Sequence, residues 1–263
     1  MEDACKNNDY KKRIELFYEL APTSQKNICV LVNNFQDNGL TLDKYIQACI
    51  KQPPLFCLTP DTIEANVREL VERFKDNGLT LDKYVEACIK QPQLFYQSPD
   101  TIEANIRGLV ERFKDSGLTI EKYIPACIKQ PSLFCHTPDT IARHIDIIRF
   151  SKCNTNHDID TTAFWDKLLS QPIELAFSNK LLLIKYLIIP KMFEDGSIPK
   201  ELKGNHLEMK LEEYIKSHPF KQFDINLKQP DTNTDCIGLL EEYINELSQK
   251  TGKDNIFNIN IVE

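Results

Sequence analysis

Six lysines sit in pairs seven residues apart: Lys44 and Lys51, Lys83 and Lys90, Lys122 and Lys129. A glutamine follows the second lysine of each pair, as Gln52, Gln91 and Gln130. Seven residues are nearly two turns of an α-helix, so both lysines of a pair lie along one line of a helix face. Stacked, three such helices make a ladder of cations, which is chemistry for an anionic or acidic partner. The alternative is that duplication copied three solvent-facing lysine pairs with no ligand. A second set varies where its surroundings do not. It consists of Pro54, Cys57 and Leu58, then Gln93, Tyr96 and Gln97, then Ser132, Cys135 and His136. Residues that change on a constant scaffold are how modular readers distinguish ligands; turns also tolerate change without any ligand.

Other reactive residue types form no constellation. There are nine cysteines and no Cys-x-x-Cys. Cys49, Cys88 and Cys127 recur on an apolar stripe, where a free thiol behaves as a small hydrophobe. His136, His144 and His157 have no zinc-ligand spacing relative to the cysteines. No phosphate-binding glycine loop, nucleophile elbow or HExxH motif occurs, so the expectation is a protein that is not an enzyme and carries no metal or cofactor.

The lysines, glutamines and turns belong to one unit of 39 residues. Copies begin at Gly39, Gly78 and Gly117 and span residues 39–77, 78–116 and 117–155; the first two are identical at 30 of 39 positions. Leu16 and Phe17 precede Leu55 and Phe56 by 39, which marks a worn half-unit over residues 14–38. Residues 157–196 read as a degenerate unit offset by 41, with Asp160 to Gln171 as its first helix and Leu181 to Phe193 as its second. Self-similarity at such a period is the mark of a repeat array.

Each unit reads as two helices, A and B. Helix A starts after Thr41, a good N-cap, and carries Leu42, Tyr45, Ile46, Cys49 and Ile50 at helical spacing. Pro53 ends it, and Leu55 and Phe56 plug a short turn. Helix B opens at Thr59-Pro60-Asp61, buries Ile63, Val67, Leu70, Val71 and Phe74, and closes at Asn77-Gly78. The predicted lengths are about 11 and 16 residues, neither able to bury its stripe alone. Pro125 falls inside the third helix A and predicts a late start or a kink there. Past residue 196, Phe223, Ile225 and Leu227 alternate with polar residues, as do Phe257, Ile259 and Ile261; Asp235 caps a helix between them. The expectation is mainly α. It comprises a polar lead-in over residues 1–13, an α-solenoid of about four and a half hairpin repeats over 14–196, and a small α+β (βαβ) segment over 197–263.

Net charge is −7, and residues 39–150 hold 14 Lys and Arg against 15 Asp and Glu. No basic field is present, which disfavours tight phosphate-backbone binding. The most apolar run, Leu181 to Ile189, is too short to span a bilayer. An odd number of cysteines at repeat spacing, without a signal peptide, points to a reducing, cytoplasmic compartment.

The unit resembles the mitochondrial transcription termination factor (mTERF) repeat. The likeness is carried by GLTLDKYVEACIKQPQLFYQSPDTI at residues 78–102: a Gly-Leu start, a short amphipathic helix, a Pro-x-Leu-Phe turn and a longer helix. It covers about residues 14–196. The resemblance implies an α-solenoid that binds nucleic acid through Lys44, Lys51, Lys83, Lys90, Lys122 and Lys129. The near-neutral array departs from the basic face of that family. The near-identical units also resemble repeat proteins that intracellular bacteria deliver into host cells. The residues themselves favour a non-enzymatic helical scaffold that binds another protein, with nucleic acid as the alternative partner.

Overall fold

The computed structural model of the protein describes residues 12, 15–153, 162–190, 211–213, 216, 223–225, 234–252 and 259–261. The chain is mostly helical. Its contacts divide it into two compact units, residues 1–138 with 169–172, and residues 139–168 with 173–263.

In the first unit, helices α1 (Pro22–Phe35), α3 (Pro60–Phe74) and α5 (Pro99–Phe113) are B helices. Helices α2 (Leu42–Lys51), α4 (Leu81–Lys90) and α6 (Ile120–Lys129) are A helices. Short 3₁₀ turns join them, such as Pro53–Phe56 and Lys75–Asn77. The caps follow from the residues. Thr41 Oγ1 accepts from the Lys44 amide at 3.4 Å, and Thr59 Oγ1 accepts from that of Thr62 at 3.4 Å. Proline at the first position of each B helix forfeits an amide that had no helical partner. Gly78 sits at φ 86° and turns the chain out of the B helix. Its amide donates to Lys75 O at 3.0 Å and that of Leu79 to Phe74 O at 3.2 Å, which satisfies carbonyls the helix end would orphan.

A helices pack on A helices, and B helices on B helices. The same contacts recur one period later. The Tyr45 ring stands edge-on to Phe95 at 5.5 Å, and Tyr84 to Phe134 at 5.6 Å. Arg68 lies over Phe35 and Arg107 over Phe74. Asn38 donates to Asp82 and Asn77 to Glu121. Asn34 donates to Glu64 at 2.6 Å; at the matching place Arg73 meets Glu103 at 2.6 Å. Gly108 replaces the Glu69 of the preceding copy, and a Cβ there would lie 3.0 Å from the Pro138 ring.

Several expectations need correction. Pro125 neither delays nor breaks α6, which has the length of its two counterparts. The proline is exposed, while Tyr123, Ile124, Ala126 and Cys127 around it are buried. Packing of that face holds the helix against the loss of one backbone bond. Ile50 does not join the buried stripe; it is 48% exposed. Ala48 takes the buried position instead.

The second unit holds most of α7 (Pro138–Cys153) and of α8 (Thr162–Ser170), together with α9 (Asn179–Leu183). α9 opens two residues before the predicted Leu181, because Ser178 Oγ accepts from the Leu181 amide at 3.3 Å. It continues as a π-helical turn over Ile184–Ile188. The successive side chains of Lys185 and Tyr186 on that turn both donate to Glu174. Buried His144 places Nδ1 2.7 Å from Leu175 O, and Thr234 donates to buried Asp146 at 2.7 Å.

The C-terminal α+β expectation is also corrected. Among the described residues of 197–263, strands β1 (Phe223–Ile225) and β2 (Ile259–Ile261) have three residues each. They pair in parallel, Phe223 opposite Ile259. Six residues do not make a sheet layer, and the long element is helix α10 (Cys236–Thr251). The lead-in over 1–13 apart from Lys12, residues 191–196 at the end of the degenerate unit, the strand ends Leu227 and Phe257, and His157 lie outside the described residues.

Candidate binding surface

Each A helix ends at its glutamine because the following proline drives that residue out of helical conformation. Gln52 has φ −133° and ψ 82°, and Gln91 and Gln130 repeat these angles within about 10°. The backbone stop fixes where the side chain goes. Gln52 Oε1 accepts from the Tyr96 hydroxyl of the next unit at 3.2 Å. Gln91 hydrogen-bonds Cys135, again one unit on. Gln130 Nε2 donates to Ser132 Oγ at 2.9 Å within its own turn. The glutamine ladder and the variable turns, separate features in the sequence, therefore meet on one edge. Tyr96 and Cys135 have a stacking role there.

The lysines divide into two kinds. Lys44 Nζ donates to Gly39 O at 2.8 Å and Lys83 Nζ to Gly78 O at 3.0 Å. These cations complement the negative end of the preceding B helix and its closing turn. Lys122 is half-buried. The second lysine of each pair points to solvent: Lys51, Lys90 and Lys129 are all exposed. Lys90 pairs with Glu86 at 2.8 Å, with both side chains more than half exposed, so the pair adds little stability. The carboxyl of Glu86 is held below its ordinary range, first by that hydrogen bond to Lys90 and more weakly by Lys44 of the preceding unit. Position 47 of the repeat thus sits among the lysines and changes their charge balance. Gln47 donates to Asp43 at 3.1 Å, Glu86 offsets Lys90, and Pro125 does neither. Nothing in the sequence spacing signals that this position neighbours the cations.

The turn residues differ in exposure. Pro54 and Cys57 are exposed; Leu58, Gln93, Tyr96, Gln97, Ser132, Cys135 and His136 are half-buried. Gln97 Oε1 is buried without a hydrogen-bond partner. Burial pushes the Cys135 thiol up to about 11, opposed by the Gln91 bond, and it lowers the imidazole of His136. Burial likewise raises the thiols of Cys49, Cys88 and Cys127. These thiols stay protonated and unreactive near neutral pH.

No group of three or more His, Cys, Asp or Glu among the described residues could hold a metal ion. No helix among them is long and apolar enough to cross a membrane. Compared with protein-family models, curated proteins and solved structures, the chain matches none.

Proposed function

We propose that the chain is a non-enzymatic α-solenoid of 39-residue helical hairpins that binds another protein along the exposed edge of its A helices. One observation carries the reading. The Gln52–Tyr96 and Gln91–Cys135 contacts bring the variable turns beside the exposed lysines Lys51 and Lys90. A constant frame then presents a changing set of side chains: Pro54 and Cys57, then Gln93 and Tyr96, then Ser132 and Cys135. Mixed charge on that edge suits a protein surface, where complementary charges fix register and partner.

The mTERF resemblance would place nucleic acid on the same lysines. Three contacts weigh against it. Lys44 and Lys83 already bond main-chain carbonyls, and Lys90 faces Glu86. A phosphate backbone would have to displace these and approach the carboxylate.

The test has two arms. The full chain is titrated with single- and double-stranded DNA and RNA at about 50 and 200 mM salt, a range over which six to ten phosphate contacts lose roughly 10³–10⁵ in affinity. The same chain is used to capture proteins from cell lysate beside a Lys51→Glu, Lys90→Glu, Lys129→Glu variant. The expected result is no sub-micromolar nucleic-acid binding and a captured protein that the variant loses. Tight binding to nucleic acid that collapses with salt would replace this reading with the nucleic-acid one.

A further inference from the structure

The A helices show what normally covers their N-terminal side, and among the described residues one of them lacks it. Phe95 and Phe134 are fully buried, each under the tyrosine of the preceding A helix. Their counterpart in the first full unit, Phe56, is only half-buried. Pro53 is exposed where Pro92 and Pro131 are buried, and Ile50 is 48% exposed where Ile89 and Ile128 are half-buried. Cys57 is exposed, while Tyr96 and Cys135 at its position each bond a glutamine from the preceding unit. The B row does not share this gap. There α1 covers α3, with Asn34 bonded to Glu64 and Phe35 under Arg68.

We infer that this face of α2 and its turn is a docking site for an amphipathic α-helix of a partner protein. That helix takes the place of a preceding A helix. It lays an aromatic ring edge-on to Phe56 and sets a hydrogen-bonding side chain, seven residues on, beside Cys57. The inference rests on the protein-binding reading above and specifies one partner element.

The occupant is set by continuity with the A–A interface, which is built the same way twice within this chain. Residues 3–12 hold the A-helix register one period earlier. There Lys6 and Asn7 replace Tyr45 and Ile46, Lys11 replaces Ile50, and Arg13 replaces Gln52. Its one ring, Tyr10, stands at the place of Cys49 rather than of Tyr45, and the segment has no apolar stripe to lay on the face. A second copy stacked head to tail would have to offer Tyr123, or Phe164 at the same place 41 residues on, and these are already buried at 2% and 7% exposure.

The test uses the full chain and a synthetic peptide copying residues 78–97, with Cys88→Ala and Gln91→Cys. The new cysteine is activated as a pyridyl disulfide. Docked in register, it lies beside Cys57, whose thiolate displaces thiopyridone and forms the mixed disulfide. Cys29 is exposed as well and serves as the internal control. Coupling at Cys57 is expected to be at least tenfold faster than at Cys29. The preference should vanish with Tyr84→Ala in the peptide or Ile50→Glu in the chain, the latter a change at an exposed position whose folding is checked by circular dichroism. Equal coupling at both thiols, or indifference to Tyr84→Ala, overturns the inference. So does sedimentation of the free chain as a dimer that Ile50→Glu dissociates, which would make the face a self-interface. The Lys51→Glu, Lys90→Glu, Lys129→Glu chain should still couple. Failed coupling with lysine-dependent capture intact would therefore remove this inference alone.

Discussion

Cysteine at three equivalent positions acts as a core residue with an unusual titration. Cys49, Cys88 and Cys127 each follow a tyrosine by four residues, and both side chains are buried. Burial pushes the Cys49 thiol up to about 12, with the Tyr45 hydroxyl partly offsetting it. Cys57 and Cys29 are exposed. Alkylation of the native chain at about pH 8, near the ordinary thiol range, should label Cys57 and Cys29 within minutes and Cys135 slowly. Cys49, Cys88 and Cys127 should react only on unfolding. Mass spectrometry after timed quenching checks this, and early labelling of Cys88 would contradict the buried arrangement. The positions of these thiols were legible in the sequence, because their spacing falls on the apolar stripe. The exposure of Cys57 was not, since it depends on which unit precedes it.

At the scale of elements, α6 tests how far packing overrides propensity. Proline in a helix interior costs roughly 3 kcal/mol relative to alanine, yet α6 keeps the length of α2 and α4. Its buried face supplies what the backbone lacks. Pro125→Ala should restore the bond to the Glu121 carbonyl and stabilise the chain by about 1–3 kcal/mol, less what the proline contributed by stiffening the unfolded chain. Gly78→Ala should have the opposite sign, costing about 1–2 kcal/mol, because φ 86° is unfavourable for an L side chain. Urea unfolding of both variants checks the pair. Equal stability of Pro125→Ala and the parent would mean that the carbonyl of Glu121 is already satisfied.

For the molecule as a whole, the titrating groups set the pH range of stability. The thiols of Cys49 and Cys135 are raised from an ordinary value of 9.0 to about 12 and about 11. Between those limits the unfolded chain has lost protons that the folded chain retains, so stability falls as pH rises. Below about pH 8 this contribution is fully present. His136 acts on the other side: burial lowers its imidazole, so the unfolded chain binds the extra proton first and stability falls as pH drops below the ordinary value of 6.5. Thermal unfolding between about pH 5 and 11 should give a plateau near neutrality with losses at both ends. A transition temperature still rising at pH 10 would contradict the burial of the thiols.

The sequence by itself determined the period, the two helices per unit, their caps and most of each buried stripe. Those features depend on residues near one another in the chain: a threonine cap, a proline stop, a glycine free to take positive φ. Tertiary structure decided which copies are complete. Phe56, Phe95 and Phe134 occupy one position of one motif, and only the neighbour in space separates the half-buried ring from the two buried ones. It also brought Gln52 to Tyr96 and Gln91 to Cys135, 44 residues apart in each case, a juxtaposition set by the stacking of one unit on the next rather than by spacing within a helix. The strands at Phe223–Ile225 and Ile259–Ile261 show the reverse limit. Alternating residues announced them, but a strand's extent is fixed by its partner, and three paired residues leave the chain a helical protein.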